Sequence, residues 1–140
     1  MLPGVAERPP FRSAHASGTD WARVLKSCVA DLGQPGPEYG LGFVYCTGSL
    51  ADNLSSILLF LRQTTRIRHW VGAVGVGVCG SGVEYYDEGG LSVMVGALPE
   101  GSFRILPTLS DEETGLDGAT LGWLPTAQPS FGVVHGDPRN

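Results

Sequence analysis

The chain has 140 residues, 42% of them hydrophobic, and its 14 acidic against 9 basic side chains give a formal charge of -5. This length suits one domain, and the acidic balance offers no general attraction to nucleic acid or to an anionic membrane. No apolar run reaches the roughly 20 residues of a membrane-spanning helix. The first ten residues also lack the pattern of a secretory signal. We therefore expect a soluble, cytoplasmic protein with no nucleic-acid or membrane partner.

The cysteine count points to the same compartment. Cys28, Cys46 and Cys79 are odd in number and widely spaced, which fits neither a disulfide framework nor a paired zinc motif. We expect all three thiols to be reduced. Residues 1–10 are expected to form a flexible N-terminus, and residues 11–140 a single domain.

A first helix is indicated by apolar residues at helical spacing after several residues that can cap its start. Ser17, Thr19 or Asp20 could accept hydrogen bonds from the first turn, and Gly33 is a plausible residue at the C-terminal end. The apolar positions, spaced i, i+3, i+4, i+7, i+8 and i+11, are Trp21, Val24, Leu25, Cys28, Val29 and Leu32.

The middle of the chain predicts a β-α-β unit. Residues 39–47 indicate a strand buried on both faces, and residues 70–74 indicate a second strand. Between them a helix is expected to begin between Ser49 and Asp52 and to end near Arg66. Two strands joined by a helix are normally parallel. The side chains that should face the core from this helix are Leu54, Ile57, Leu58 and Leu61.

Farther along, the hydrophobic period changes from that of a helix to that of a strand. Residues 91–98 alternate, residues 99–101 offer a turn, and Phe103 and Ile105 predict a return strand that completes a hairpin. An exposed loop is expected over residues 110–118, and a last short strand over residues 131–135. The fold class predicted is therefore α/β or α+β, a mixed sheet with one β-α-β unit and one β-hairpin, and helices packed on the sheet.

A literal G-x-G-x-x-G follows the second strand of the β-α-β unit, at Gly75, Gly77 and Gly80. A dinucleotide site would need a helix next, with its N-terminus facing the pyrophosphate, but residues 83–90 have no helical period. A P-loop is excluded because the chain has no glycine-lysine pair. The alternative is that these glycines allow tight turns and close backbone approach without any ligand.

The placement of these glycines nevertheless favours a ligand site. The carboxyl ends of two parallel strands deliver Thr47, Gly48 and Ser49 and the glycine-rich loop to one edge of the sheet, where ligands tend to bind. An anionic group such as a carboxylate could be held at the turn over residues 47–52, at the start of a helix. The alternative is that the carboxylate of Asp52 already occupies these donors as a cap. The ligand-binding residues expected are Thr47, Gly48, Ser49, Gly75, Gly77, Cys79, Gly80 and Ser81.

Enzyme chemistry has weaker signals. Neither Ser49 nor Ser81 lies in a G-x-S-x-G elbow, and no histidine has a partner that spacing identifies. Cys79 is either a nucleophile or simply a small residue in a turn. The acids at 84, 87 and 88 lack the ligand periodicity of a calcium site. We expect no catalytic residue, no metal and no cofactor.

One family resemblance extends over most of residues 11–107. Its strongest part is residues 80–84 leading to residues 88–93, with weaker matches at residues 11–14, 20–32, 43–44 and 70–72. In these segments the chain resembles the N-terminal part of the FIST domain, a sensory module of signalling proteins. The resemblance implies a domain that binds small ligands, including amino acids, and it carries no established catalytic residues.

Two departures from the family pattern limit this resemblance. Ala73 stands where the family often has Cys or Thr, and the chain ends where the family continues, so a C-terminally truncated domain is expected. The leading hypothesis is a ligand-sensing domain for signal transduction. A protein-interaction scaffold without a metabolite is the alternative, with self-association or association with the missing C-terminal half. A cysteine-dependent enzyme is a third class.

Overall fold

The computed structural model describes residues 9–109 and 115–137, and the order of its elements follows from the hydrophobic patterns. The strands are β1 (Phe11–Ser17), β2 (Leu41–Thr47), β3 (His69–Gly75), β4 (Gly77–Gly80), β5 (Val83–Tyr86) and β6 (Gly90–Gly96). The helices are α1 (Trp21–Leu32), a 3-10 helix (Gly48–Asn53), α2 (Leu54–Thr65) and α3 (Gly118–Ala127).

The main sheet has four strands in the order β1-β6-β2-β3. β2 and β3 are parallel, with Leu41 opposite His69 and Thr47 opposite Gly75. β6 lies between β1 and β2 and is antiparallel to both. β4 and β5 form a separate antiparallel hairpin. The predicted fold class is confirmed as α+β with a mixed sheet, although the hairpin is not the one that the sequence indicated.

Helix α1 forms where the sequence predicts it. The Asp20 carboxylate accepts hydrogen bonds from the backbone N–H groups of Ala22 and Arg23, at 3.0 and 3.2 Å. Gly33 ends the helix with a positive φ of 69°, and its N–H donates to the carbonyl of Val29. Such a cap and such an ending satisfy backbone groups that have no partner inside the helix.

The β-α-β unit is also confirmed, since α2 connects the parallel strands β2 and β3. A single 3-10 stretch precedes α2, and the helix stops at Arg66, which adopts a left-handed conformation. Ile57 and Leu61 are fully buried, whereas Leu54 and Leu58 only pack partly against the core.

The core lies on one face of the sheet. Val44 and Cys46 of β2 are buried in a cluster with α1, α2 and β6, while Phe43 and Tyr45 point to the opposite face and are half-buried. The predicted burial of β2 on both faces is therefore only partly correct. The physical reason is that α1 and α2 pack together on the side of Val44 and Cys46, so the side of Phe43 and Tyr45 lacks their apolar cover.

The return strand predicted at Phe103 and Ile105 is wrong. Residues 103–109 form no strand, and β6 pairs instead with β1 and β2. β1 was not predicted, because its residues include Arg12 and His15 and show no strong alternation. It nevertheless pairs along its whole length, from Phe11 opposite Gly96 to Ser17 opposite Gly90, and so occupies the place of the expected return strand.

The strand predicted over residues 131–135 is wrong as well. These residues have no strand neighbour and are exposed, and the regular element of this region is α3. Asp117 caps α3 by accepting from the N–H of Thr120, and Arg104 Nε donates to the Thr120 hydroxyl at 2.9 Å. This helix contains two glycines and Pro125, which are unfavourable in helices, so the sequence pattern did not predict it.

Several expectations concern residues outside the described ranges. The flexible N-terminus falls on residues 1–8 for the most part, and the loop predicted over residues 110–118 includes residues 110–114. Within the described part of the chain, no helix has the length and apolarity needed to cross a membrane. All three cysteines are free, as predicted, and only Cys79 is exposed.

Candidate functional site

The carboxyl ends of β2 and β3 meet at one edge, where Thr47 lies opposite Gly75. The Thr47 hydroxyl is buried and already engaged, because it accepts from the N–H of Gly90 at 3.0 Å and donates to the carbonyl of Glu88 at 2.6 Å. The Ser49 hydroxyl is 3.1 Å from the same oxygen. Thr47 therefore anchors the start of β6, and its hydroxyl has no capacity left for a ligand.

Gly48 and Ser49 begin the 3-10 helix and are exposed. Neither Thr47 nor Asn53, the residues at the two helix starts, uses its side chain to cap the following turn. No side-chain hydrogen bond from these two residues therefore occupies the first N–H groups of either helix. This turn does not contribute to the lining of the cavity described next.

A hollow of about 300 Å³ opens beside the end of β3. We call it the glycine hollow. It lies between the last residues of β3, the start of β4 and one side chain of β2. Its lining is mainly apolar and consists of Tyr45, Ala73, Val74, Gly75, Gly77, Val78 and Cys79.

The structure brings three of the predicted ligand-binding residues into the glycine hollow, namely Gly75, Gly77 and Cys79. The other predicted residues lie outside this lining. Gly80 and Ser81 belong to the far end of the β4–β5 hairpin. The hollow thus occupies the predicted edge of the sheet, but it is built from β2, β3 and β4 and does not include the turn that starts the 3-10 helix.

Two glycines of the G-x-G-x-x-G motif have packing roles that the geometry explains. A Cβ atom at Gly77 would lie 2.7 Å from the ring of Tyr86, and one at Gly80 would overlap the imidazole of His15. Close approach of this kind is open only to glycine. The motif therefore lets the hairpin fold against β1 and the sheet. β4 lies within the motif, and β5 follows in place of the helix that a dinucleotide site would need.

The polar groups of the glycine hollow come from Tyr45 and Cys79. The Tyr45 hydroxyl is 3.0 Å from Nε2 of His135, and the two rings are in tilted contact with centroids 5.6 Å apart. The imidazole thus holds the phenol in position at the hollow. Cys79 adds an exposed thiol from β4.

Sequence reasoning missed both Tyr45 and His135. Tyr45 had a usable signal, because it precedes Thr47 by two residues and so lies on the same face of β2. His135 had none, since its contact with Tyr45 joins residues 90 positions apart.

A second histidine–tyrosine pair lies outside the hollow. His15 Nδ1 and the Tyr85 hydroxyl are 2.7 Å apart and partly buried, and they join β1 to β5. Loss of solvent contact raises the pKa of the Tyr85 phenol, and the neighbouring Cys28 and Glu88 add to this. The pair fastens the hairpin to the sheet.

The remaining thiols are protected. Burial raises the pKa of the Cys28 thiol to about 12, with a further contribution from Asp31, and burial also raises the pKa of Cys46. Both stay protonated near neutral pH. Among residues 9–109 and 115–137, no three His, Cys, Asp or Glu side chains are grouped so that they could hold a metal ion.

Comparison with known proteins does not assign the chain to a family. No family model matches the chain, and the searches of curated proteins and of solved structures find no match either.

Proposed function

We propose that this chain is a small-ligand-binding sensory domain of the FIST type, and that its ligand binds in the glycine hollow. One observation carries the proposal: a cavity of about 300 Å³ lies at the carboxyl ends of the parallel strands β2 and β3. Open sheets with parallel strands tend to bind ligands at this edge. That tendency is an analogy between folds, and the chemistry of the lining supports it.

The lining defines the class of ligand. Ala73, Val74 and Val78 supply apolar surface, while the Tyr45 hydroxyl supplies a hydrogen bond and is oriented by His135. Ligand sites usually combine a mostly apolar wall with a few placed polar groups, and this volume is at the small end of their range. An amino acid with an apolar side chain fits these features. Its carboxylate would accept from Tyr45 when Nε2 of His135 carries the proton and donates to the phenol oxygen, since the Thr47 hydroxyl is already occupied.

The proposal is tested by thermal-shift screening of the full chain against amino acids and related metabolites. A ligand at 100 times its Kd should stabilise the folded state by about 2.7 kcal/mol. A screen in which none of these compounds raises the melting temperature would contradict the sensory function.

Two variants then locate the site by calorimetry with the compound that the screen returns. Tyr45→Phe removes the hydroxyl and should weaken binding roughly 10- to 100-fold, the worth of a hydrogen bond to a charged group. Ala73→Leu should fill the hollow and abolish binding. Matched controls are Tyr86→Phe and Ala30→Leu, whose side chains are exposed and do not line the hollow. Unchanged affinity in both test variants would show that the ligand binds outside the glycine hollow.

A further inference from the structure

The two edge strands of the main sheet differ in sequence. β1 follows Pro9 and Pro10 and carries Arg12. Prolines and charged side chains are common means by which proteins prevent pairing at a sheet edge. β3 has the sequence His-Trp-Val-Gly-Ala-Val-Gly, which contains no proline and no Asp, Glu, Lys or Arg. Within the two strands themselves, therefore, only β1 carries a charged side chain, while Arg68 directly precedes β3.

The outer side of β3 is unpaired. All seven residues of β3 pair with β2 on one side, and β3 is the last strand in the sheet order. In the part of the chain that the structure describes, no backbone group bonds to its other side. A row of unpaired N–H and C=O groups is a template for strand addition. This edge also ends in exposed apolar side chains, since Val74 is 44% and Val76 is 86% exposed.

The distribution of charge along the chain favours a second copy as the partner of the β3 edge. The chain is acidic overall, yet no acidic residue occurs between Asp52 and Glu84, the stretch that contains β3. A second copy of the chain could therefore approach this edge without juxtaposing carboxylates. If the strands run antiparallel, Arg68 of each copy lies at the end of the other sheet where Glu88 also lies, so opposite charges occur at the same end.

We propose that the β3 edge is a homodimer interface, in which β3 of two copies pair antiparallel across a two-fold axis. Gly72 lies opposite the same residue of the second copy, Val71 opposite Ala73, and His69 opposite Gly75. This register pairs all seven residues and is self-complementary, as a two-fold interface requires. The two four-stranded sheets become one continuous sheet. His69 lies on the same face as Ala73 and Gly75, so each copy presents this imidazole near the glycine hollow of the other.

Analytical ultracentrifugation of the full chain over a dilution series tests the interface, and it needs no ligand, so its outcome is independent of the proposed function. We expect a mass of twice the 14.7 kDa of one chain. Val74→Lys places a charge at the edge and should shift the chain to monomer. The matched control, Leu59→Lys on α2, introduces the same charge at a side chain that is 58% exposed and should leave the dimer intact.

Cross-linking tests the register and does not depend on how Val74→Lys folds. In a Cys79→Ser background, the double variant Val71→Cys/Ala73→Cys should form a disulfide-linked dimer on mild oxidation, because directly opposite Cβ atoms lie about 4.5–5.5 Å apart. Ser13→Cys on β1 is the control and should stay uncross-linked. A monomeric parent chain, a Val74→Lys variant that remains dimeric, or the absence of the intermolecular disulfide would each overturn the proposal.

Discussion

The Thr47 hydroxyl accepts a hydrogen bond from the backbone N–H of Gly90 at 3.0 Å, across 43 residues of chain. The same hydroxyl donates to the carbonyl of Glu88 at 2.6 Å. It thereby joins the end of β2 to the turn that starts β6. Because Thr47 is only 2% exposed, water cannot replace these bonds.

Thr47→Val should therefore destabilise the fold. The two side chains have nearly the same shape, so the change removes the buried hydroxyl together with its hydrogen bonds to the N–H of Gly90 and the carbonyl of Glu88, and leaves Gly90 only its contact with Glu88 at 2.8 Å. We expect the free energy of unfolding to fall by about 1–3 kcal/mol in urea titration. Thr19→Val at an exposed position is the control and should stay within about 0.5 kcal/mol of the parent. Equal stability of both variants would mean that the hydroxyl contributes nothing.

Helix α2 offers an internal comparison of a buried and an exposed leucine. Leu61 is 0% exposed and Leu59 is 58% exposed. Leu61→Ala should lower the free energy of unfolding by about 2–5 kcal/mol, because it loses apolar burial and leaves a cavity. Leu59→Ala in the same helix should have an effect below about 0.5 kcal/mol. A small loss at Leu61, measured in the same titration, would show that this face of α2 does not reach the core.

The three thiols should differ in reactivity. Cys79 is exposed, while Cys28 and Cys46 are buried. In the native protein, a chromogenic disulfide reagent should label one thiol rapidly, and Cys79→Ser should remove that reaction. After denaturation without reductant, three thiols should titrate in the parent chain. Only one titratable thiol under those conditions would indicate a disulfide and contradict the prediction.

Cys28 should make stability dependent on alkaline pH. Burial, with a smaller contribution from Asp31, raises its pKa in the folded protein from 9.0 to about 12. The folded state therefore holds the proton more tightly than the unfolded state. The resulting stability is fully present below pH 9 and is lost as the pH rises toward about 12.

Urea titrations on either side of pH 9 would measure this loss. The parent chain should lose stability as the pH rises, and Cys28→Ala should lose less over the same interval because its side chain does not titrate. Cys46 is common to both proteins and cancels in the difference. Parallel declines in the two proteins would exclude Cys28 as the titrating group.

The elements that sequence reasoning found are those whose signals are local. The capping carboxylate of Asp20 and the helical spacing of Leu25 and Cys28 lie within a few residues of one another, and the structure contains the predicted helix. The wrong predictions concern segments whose structure depends on contacts with distant parts of the chain. β1 exists because β6 presents a complementary edge to it, and the valines at 133 and 134 form no strand because no partner strand is beside them.

The sequence alone determined the positions of α1 and α2, the parallel pairing of β2 and β3, and the arrival of Thr47 and Gly75 at one edge of the sheet. These follow from periodicity, capping chemistry and the short crossover, which act over short separations along the chain. Only the tertiary structure decided which groups line the glycine hollow. It engaged the Thr47 hydroxyl at Gly90 and brought His135 to Tyr45, because contacts between distant residues depend on how whole elements pack.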